Sequence, residues 1–234
     1  MKRNPRLLLM NSIARVATIT AAVILAGSIA ARAKDAPVDQ LIKKLPSPEK
    51  VVKLDPAARD PLAKQIVDAV KAMNFGNAYA LSQKLATRYP KSAGAQSLRG
   101  QLALGLRRYP EAADAFQKAI SIQPNFAFAY VGLALTEASQ NHVSAAMSNF
   151  RQVTRLYPNA DFGWIGLSAC AEKLGRKSEC LEYARHATAV APSSFAAWLQ
   201  LAQAEGISGN QQAAAKALAR AKELRRKGPK TNRT

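Results

Sequence analysis

Two cysteines and two histidines are all that 234 residues contain, and aromatic side chains make up only 6%. A single pair of cysteines cannot build the multi-bridge framework of a small secreted scaffold. His142 and His186 stand apart from any Cys, His or carboxylate cluster at ligand spacing, so no metal site is expected. The G-x-S-x-G and H-E-x-x-H motifs and the phosphate-cradling glycine loop are also missing. Neither catalysis nor a cofactor is therefore expected. Scarce aromatics beside abundant alanine favour closely packed helices over a β-sandwich. From Arg59 onward no strand-length run of alternating β-branched residues appears.

Acidic residues are scarce as well. Fifteen Asp and Glu face 34 Lys and Arg, a formal charge of +19. Part of the excess lies in residues 1–33, which carry Lys2, Arg3, Arg6, Arg15 and Arg32 and no acid. Taking those five from the 34 leaves 29 against 15, still basic enough to favour anionic partners. The basic stretch precedes an uncharged run from Val16 to Ala31, and Ala31-Arg32-Ala33 offers a small-x-small cleavage site. A membrane-spanning helix needs roughly 20 strongly apolar residues. The run is shorter and contains Thr18, Thr20, Gly27 and Ser28. It reads as a cleaved bacterial-type signal that sends the chain to the periplasm or outside. An inner-membrane anchor and a mitochondrial leader are the alternatives. Ser28 stands where a lipidated cysteine would have to be, which excludes lipidation there.

What the chain does have is a period. Pro90, Pro124, Pro158 and Pro192 follow one another at intervals of 34 residues. Such a period marks repeat architecture, and solenoids work mostly as binding surfaces. Residues 34–58 form a Pro-punctuated lead-in, in which Val38–Leu45 and Glu49–Leu54 each suit a turn or two of helix. Residues 59–226 then read as helix, polar turn and helix, closed by proline in all but the last of the units 59–92, 93–126, 127–160, 161–194 and 195–226, where Arg226 stands instead, before a basic tail at 227–234. Twelve residues before the prolines stand Ala78, Ala112, Ala146 and Cys180; eight before stand Ser82, Phe116, Phe150 and Ala184. Twenty-four before stand Ile66, Gly100, Ala134 and Ser168. Small residues on both helices permit close approach, and a larger one fills the space a turn away. The first unit departs most, with Ile66 at a small site and Ser82 at a large one.

Trp164-x₂-Leu167-Ser168 and Trp198-x₂-Leu201-Ala202, with Ala112-x₃-Phe116 and Ala146-x₃-Phe150 followed by Pro124 and Pro158, resemble the tetratricopeptide repeat (TPR) pattern. The resemblance implies an all-α fold, a right-handed α-solenoid of antiparallel helix pairs. It also implies a concave groove, lined by the first helix of each unit, that receives a peptide or a partner helix. The matching positions are Ser97 and Gln101, then Val131 and Leu135, then Ile165 and Ala169, then Leu199 and Gln203, with Phe128 and Phe162 a turn earlier. None is Lys, Arg or Asn, so the carboxylate clamp of familiar TPR grooves is not expected. A mostly apolar stripe suits an amphipathic segment.

The last helix carries Lys216, Arg220, Lys222, Arg225, Arg226 and Lys227 against Glu223 alone. It reads either as the polar cap of a solenoid or as a docking face for anionic membrane, cell-wall polymer or an acidic partner. Nucleic acid is not expected, because no stacking aromatics are interleaved with these bases. Cys170 and Cys180 flank one turn on opposite helices; a disulfide and two free packed thiols both remain open.

Overall fold

The computed structural model describes residues 55–226. Residues 1–33, read above as a signal, the lead-in as far as Leu54, Lys227 and the remaining tail lie outside the described residues. Ten α-helices and no strand occupy the described part, which divides into two compact units, one ending at His142 and the other beginning at Val143. In the first, a short 3-10 turn (Pro56–Arg59) leads into α1 (Pro61–Lys71), α2 (Phe75–Arg88), α3 (Ala93–Gly105), α4 (Tyr109–Ile122) and α5 (Ala127–Ser139). The second holds α6 (Val143–Leu156), α7 (Asp161–Lys173), α8 (Lys177–Val190), α9 (Phe195–Ile207) and α10 (Gln211–Arg226). Consecutive helices pack within each unit, and the first helices of successive repeats also touch, α3 with α5 and α7 with α9.

A helix must end where its carbonyls find other partners, and here the ends follow the period. Met73, Arg107, Asn141, Gly175 and Gly209 take left-handed backbone, with φ of 57°, 58°, 65°, 70° and 85°. They stand 34 residues apart. Behind each, the next N–H reaches back five residues at 2.9 Å: Asn74 to Ala69, Arg108 to Ala103, His142 to Glu137, Arg176 to Ala171 and Asn210 to Glu205. This six-to-one bond closes a Schellman turn. Side-chain caps open several helices: Asp60 accepts from Leu62 N, Asn74 from Asn77 N, Ser92 from Ala95 N and Ser194 from Ala197 N. Two prolines contribute more than a stop. Pro158 O accepts from Trp164 Nε1 at 3.0 Å, and Pro192 O accepts from Trp198 Nε1 at 2.8 Å. These two closing prolines are thus tied to the aromatic anchor of the helix after them.

Packing inside each unit follows a wedge and a notch. The Phe116 ring of α4 is fully buried between α3 and α5. A Cβ on Gly100 would stand 2.9 Å from that ring, and one on Gly132 only 2.2 Å. In the second unit a Cβ on Gly166 would meet the Phe150 ring at 2.4 Å. These glycines serve close approach, since any side chain would fill the space the ring occupies. The first repeat keeps the volume and exchanges the partners. Ser82 stands at the phenylalanine site, while Ile66 and Leu98, at the positions equivalent to Gly100 and Gly132, supply the bulk, and all three are 0–1% exposed.

One ionic anchor holds the start of the first unit. Asp60 Oδ2 accepts from Arg88 Nη1 at 2.7 Å and from Tyr89 OH at 3.0 Å. Burial pushes its carboxyl up, but the bonds from Leu62 N–H, Arg88 and Tyr89 outweigh it and hold the group below the ordinary carboxylate range.

A left-handed residue other than glycine costs about 1–2 kcal/mol. Arg107→Gly is therefore predicted to stabilise the protein by about 0.5–1 kcal/mol once the extra freedom of the unfolded chain is set against the relief. Gly175→Ala should destabilise it by a similar amount. Urea unfolding followed by circular dichroism checks both signs.

Candidate functional site

The first helices carry their row of candidate residues at steps of three and four, which places them on one helical face. In the first unit the row begins on α3 with Ser97 and Gln101. Both are buried, at 2% and 3% exposure. Gln101 Nε2 donates to Ser97 Oγ at 3.4 Å, whereas Gln101 Oε1 meets no donor among the described residues. On α5 the same positions are Val131 and Leu135, preceded by Phe128, and all three are half-buried. Phe128 and Leu135 rest on the core of the unit, and the Phe128 ring lies 5.7 Å from that of Phe126. The accessible part of this row is thus apolar, backed by rigid core, and bounded on α3 by a buried polar pair.

The second unit treats its row differently. Phe162 and Ile165 on α7 are both 8% exposed, and Ile165 packs with Ala187 and Ala197. Ile165 is thereby a core contact joining α7, α8 and α9. Ala169 and Leu199 are half-buried, and Gln203 is exposed. The Gln203 amide donates to both Glu172 carboxylate oxygens, at 2.7 and 2.8 Å. Glu172, one step beyond Ala169 on the same row, was not anticipated; its spacing from Ile165 and Ala169 was the available signal. A second polar tie joins Gln200 Nε2 to Ser168 Oγ at 3.1 Å, and Ser168 Oγ donates to Cys180 O at 2.9 Å. Behind these lies a carboxylate with 5% exposure: Glu205 accepts from Arg185 Nη2 at 2.9 Å and from Asn210 Nδ2 at 2.7 Å.

The bridge allowed by the sequence between Cys170 and Cys180 does not form. Both thiols are free and buried. Helical phase is the reason. Cys180 Sγ lies 3.5 Å from Ser168 Oγ, so the Ser168 face of α7 looks at α8. Cys170 is two residues on, about 200° around the helix, in the row of Gly163 and Gly166 that meets Thr154 and Phe150 of α6. The two cysteines occupy opposite sides of one helix. Burial pushes the Cys170 thiol up to about 11 and raises that of Cys180 as well.

His142 is exposed and pairs with Glu137 at 2.8 Å, and exposed His186 lies against Trp164 with ring centres 3.9 Å apart and planes tilted by 46°. No group of three or more His, Cys, Asp or Glu residues able to hold a metal occurs among the described residues. On the outer face of α8 a shallow depression of about 550 Å³ is lined by Ser178, Leu181, Glu182, Arg185, His186 and Ala189. Its lining mixes both charge signs and belongs to a second helix, away from the row. Of the basic candidates on α10, Lys216, Lys222, Arg225 and Arg226 are exposed, whereas Arg220 pairs with Glu223 at 2.6 Å. No helix among the described residues is long and apolar enough to cross a membrane.

Comparison with known proteins agrees with this architecture. Residues 93–126 match the family model of the tetratricopeptide repeat. A search of curated proteins gave no significant match. Among solved structures, MamA superposes with a TM-score of 0.61 at 17% identity, covering 72% of this chain and 96% of that one. YrrB, described as a TPR protein with an unusual peptide-binding site, gives 0.53 at 17% identity over 77% and 93%. PilW, described as a widely conserved type IV pilus biogenesis factor, gives 0.62 at 18% identity over 70% and 76%. Likeness at this identity shows the fold alone: the described helices follow one another in repeated pairs, as in proteins of tetratricopeptide repeats.

With both thiols buried and protonated, Cys170 and Cys180 should resist iodoacetamide in the native protein and react together on unfolding. Intact mass should be the same with and without reductant.

Proposed function

We propose that this chain of tetratricopeptide repeats is a non-catalytic adaptor that captures an amphipathic segment of a protein partner in an exported compartment. The repeat fold supports a protein–protein interaction role, and scaffolds of this kind are generally without catalysis. One observation carries the finer reading. Phe128, Val131 and Leu135 form a half-buried apolar row on α5, backed by packed core and free of charge. A rigid row costs little ordering entropy on binding, and apolar teeth at helical spacing complement a partner helix read through its own i, i+3 and i+4 residues. Without Lys, Arg or Asn in the row, affinity has to come from apolar burial, at about 25 cal/mol per Å² before the costs of association. Export rests on the basic, acid-free leader and its small-x-small site.

The second reading places the business end on α10, where Lys216, Lys222, Arg225 and Arg226 are exposed. It calls for an anionic surface and strong salt dependence.

The two readings part in one experiment. Val131→Asp should weaken capture of an amphipathic helical peptide at least tenfold while the helical circular-dichroism signal persists. Adsorption to anionic vesicles should not change. If Val131→Asp leaves capture untouched while charge reversal at Lys222 and Arg226 abolishes binding, the surface-docking reading replaces the groove.

A further inference from the structure

The row on α3 does not start in open solvent. Gly94 precedes Ser97 and Gln101 on the same face, and a Cβ there would stand 2.6 Å from Asp55 Oδ2. That carboxylate also accepts from Ser92 Oγ at 2.5 Å, and the following Ala57 and Ala58 are 2% and 6% exposed. The chain therefore enters the first unit across the head of the α3 row, with Asp55 against Gly94 and Ser92. Farther along, Gln101 is 3% exposed and its Oε1 has no donor among the described residues. A buried acceptor without a donor keeps its desolvation penalty, and an N–H or O–H from a segment seated on the row would relieve it.

The sequence upstream supplies a matching segment. Val38, Leu41, Ile42 and Leu45 fall at i, i+3, i+4 and i+7, while Asp39, Gln40, Lys43 and Lys44 take the other side. This is the pattern of one apolar helical face. Between Leu45 and Asp55 lie ten residue steps, which reach about 33 Å when extended. Helix α3, with 13 residues, is about 20 Å long. The tether can thus place the segment anywhere along the row. We infer that Val38–Leu45 of this chain is the resident occupant of the α3/α5 row in the first unit, seated in cis and displaced by the partner segment. The inference rests on the groove reading above. It makes the lead-in a built-in competitor. A short tether gives an effective concentration in the order of millimolar, so an external segment meets a groove already filled.

The test uses the full chain. A benzophenone side chain placed at Val131 is photoactivated in dilute solution, and the cross-linked peptides are identified by mass spectrometry. Linkage to residues 38–45 within a monomer-sized species is expected. Linkage in a dimer-sized species would assign the row to a second copy, and no linkage to this segment would also overturn the inference. In parallel, Leu41→Asp/Ile42→Asp should raise affinity for a fluorescent peptide of residues 36–47 about tenfold. Equal affinity of the variant and the native chain would sink the cis occupant. A designed Leu/Lys amphipathic helix separates the two levels. If it binds the native chain and the double variant equally, and Val131→Asp abolishes that binding, the groove reading stands and the resident segment fails. If neither peptide binds any form, the groove reading itself fails.

Discussion

A phenylalanine ring with glycine on either side sets the spacing of the first unit. Phe116 leaves no room for a Cβ on Gly100 or Gly132, so α3 and α5 approach as closely as one ring thickness allows. Whatever those helices present on their far face is fixed in register by that contact. The second unit repeats the wedge with Phe150 and Gly166. Where the ring is missing the sum of volumes is kept: Ser82 is met by Ile66 and Leu98, and Ala184 stands where Gln200, opposite, turns its amide to Ser168. Interiors tolerate exchange of partners far better than loss of volume.

The two units use the same frame for different ends. In the first, the inner row is an apolar face on α5 beside a buried polar pair on α3, and the entering chain lies across its head. In the second, the row itself carries an amide–carboxylate tie between Gln203 of α9 and Glu172 of α7, and the Gln200–Ser168 bond and the Arg185–Glu205–Asn210 cluster beside it add to internal cohesion. Ile165 follows the same logic and becomes core. A binding surface and a cross-brace thus arise from the same helical row, according to whether its side chains find partners on the next helix.

Much of this was legible in the sequence. The proline period, the alanine columns and the glycine or asparagine at Asn141, Gly175 and Gly209 announce helix pairs, because proline and glycine carry their backbone preferences wherever they stand. Met73 and Arg107 take the same left-handed geometry without the composition that signals it; the hydrogen bonds of the Schellman turn impose it on side chains that do not favour it. The partners of Phe116 were half visible. Gly100 stands in a column counted from the prolines, whereas Gly132 belongs to a column whose other members are Leu98, Gly166 and Gln200, too varied to suggest a notch. The cysteines were open to a phase argument: two residues from Ser168 on a helix is the wrong side. The burial of Ser97 and Gln101 was not legible, because spacing along one helix does not tell which of its faces is covered.

Both tryptophans of the chain, Trp164 and Trp198, are tied to proline carbonyls in the second unit. Indole emission therefore sees one half of the molecule, while backbone ellipticity sees both. The two signals should coincide on unfolding only if the halves melt as one body, and any gap between them measures their independence. The repeat has in this way placed an optical label on a single half, and the protein's own spectrum can report whether its solenoid is one cooperative object or two.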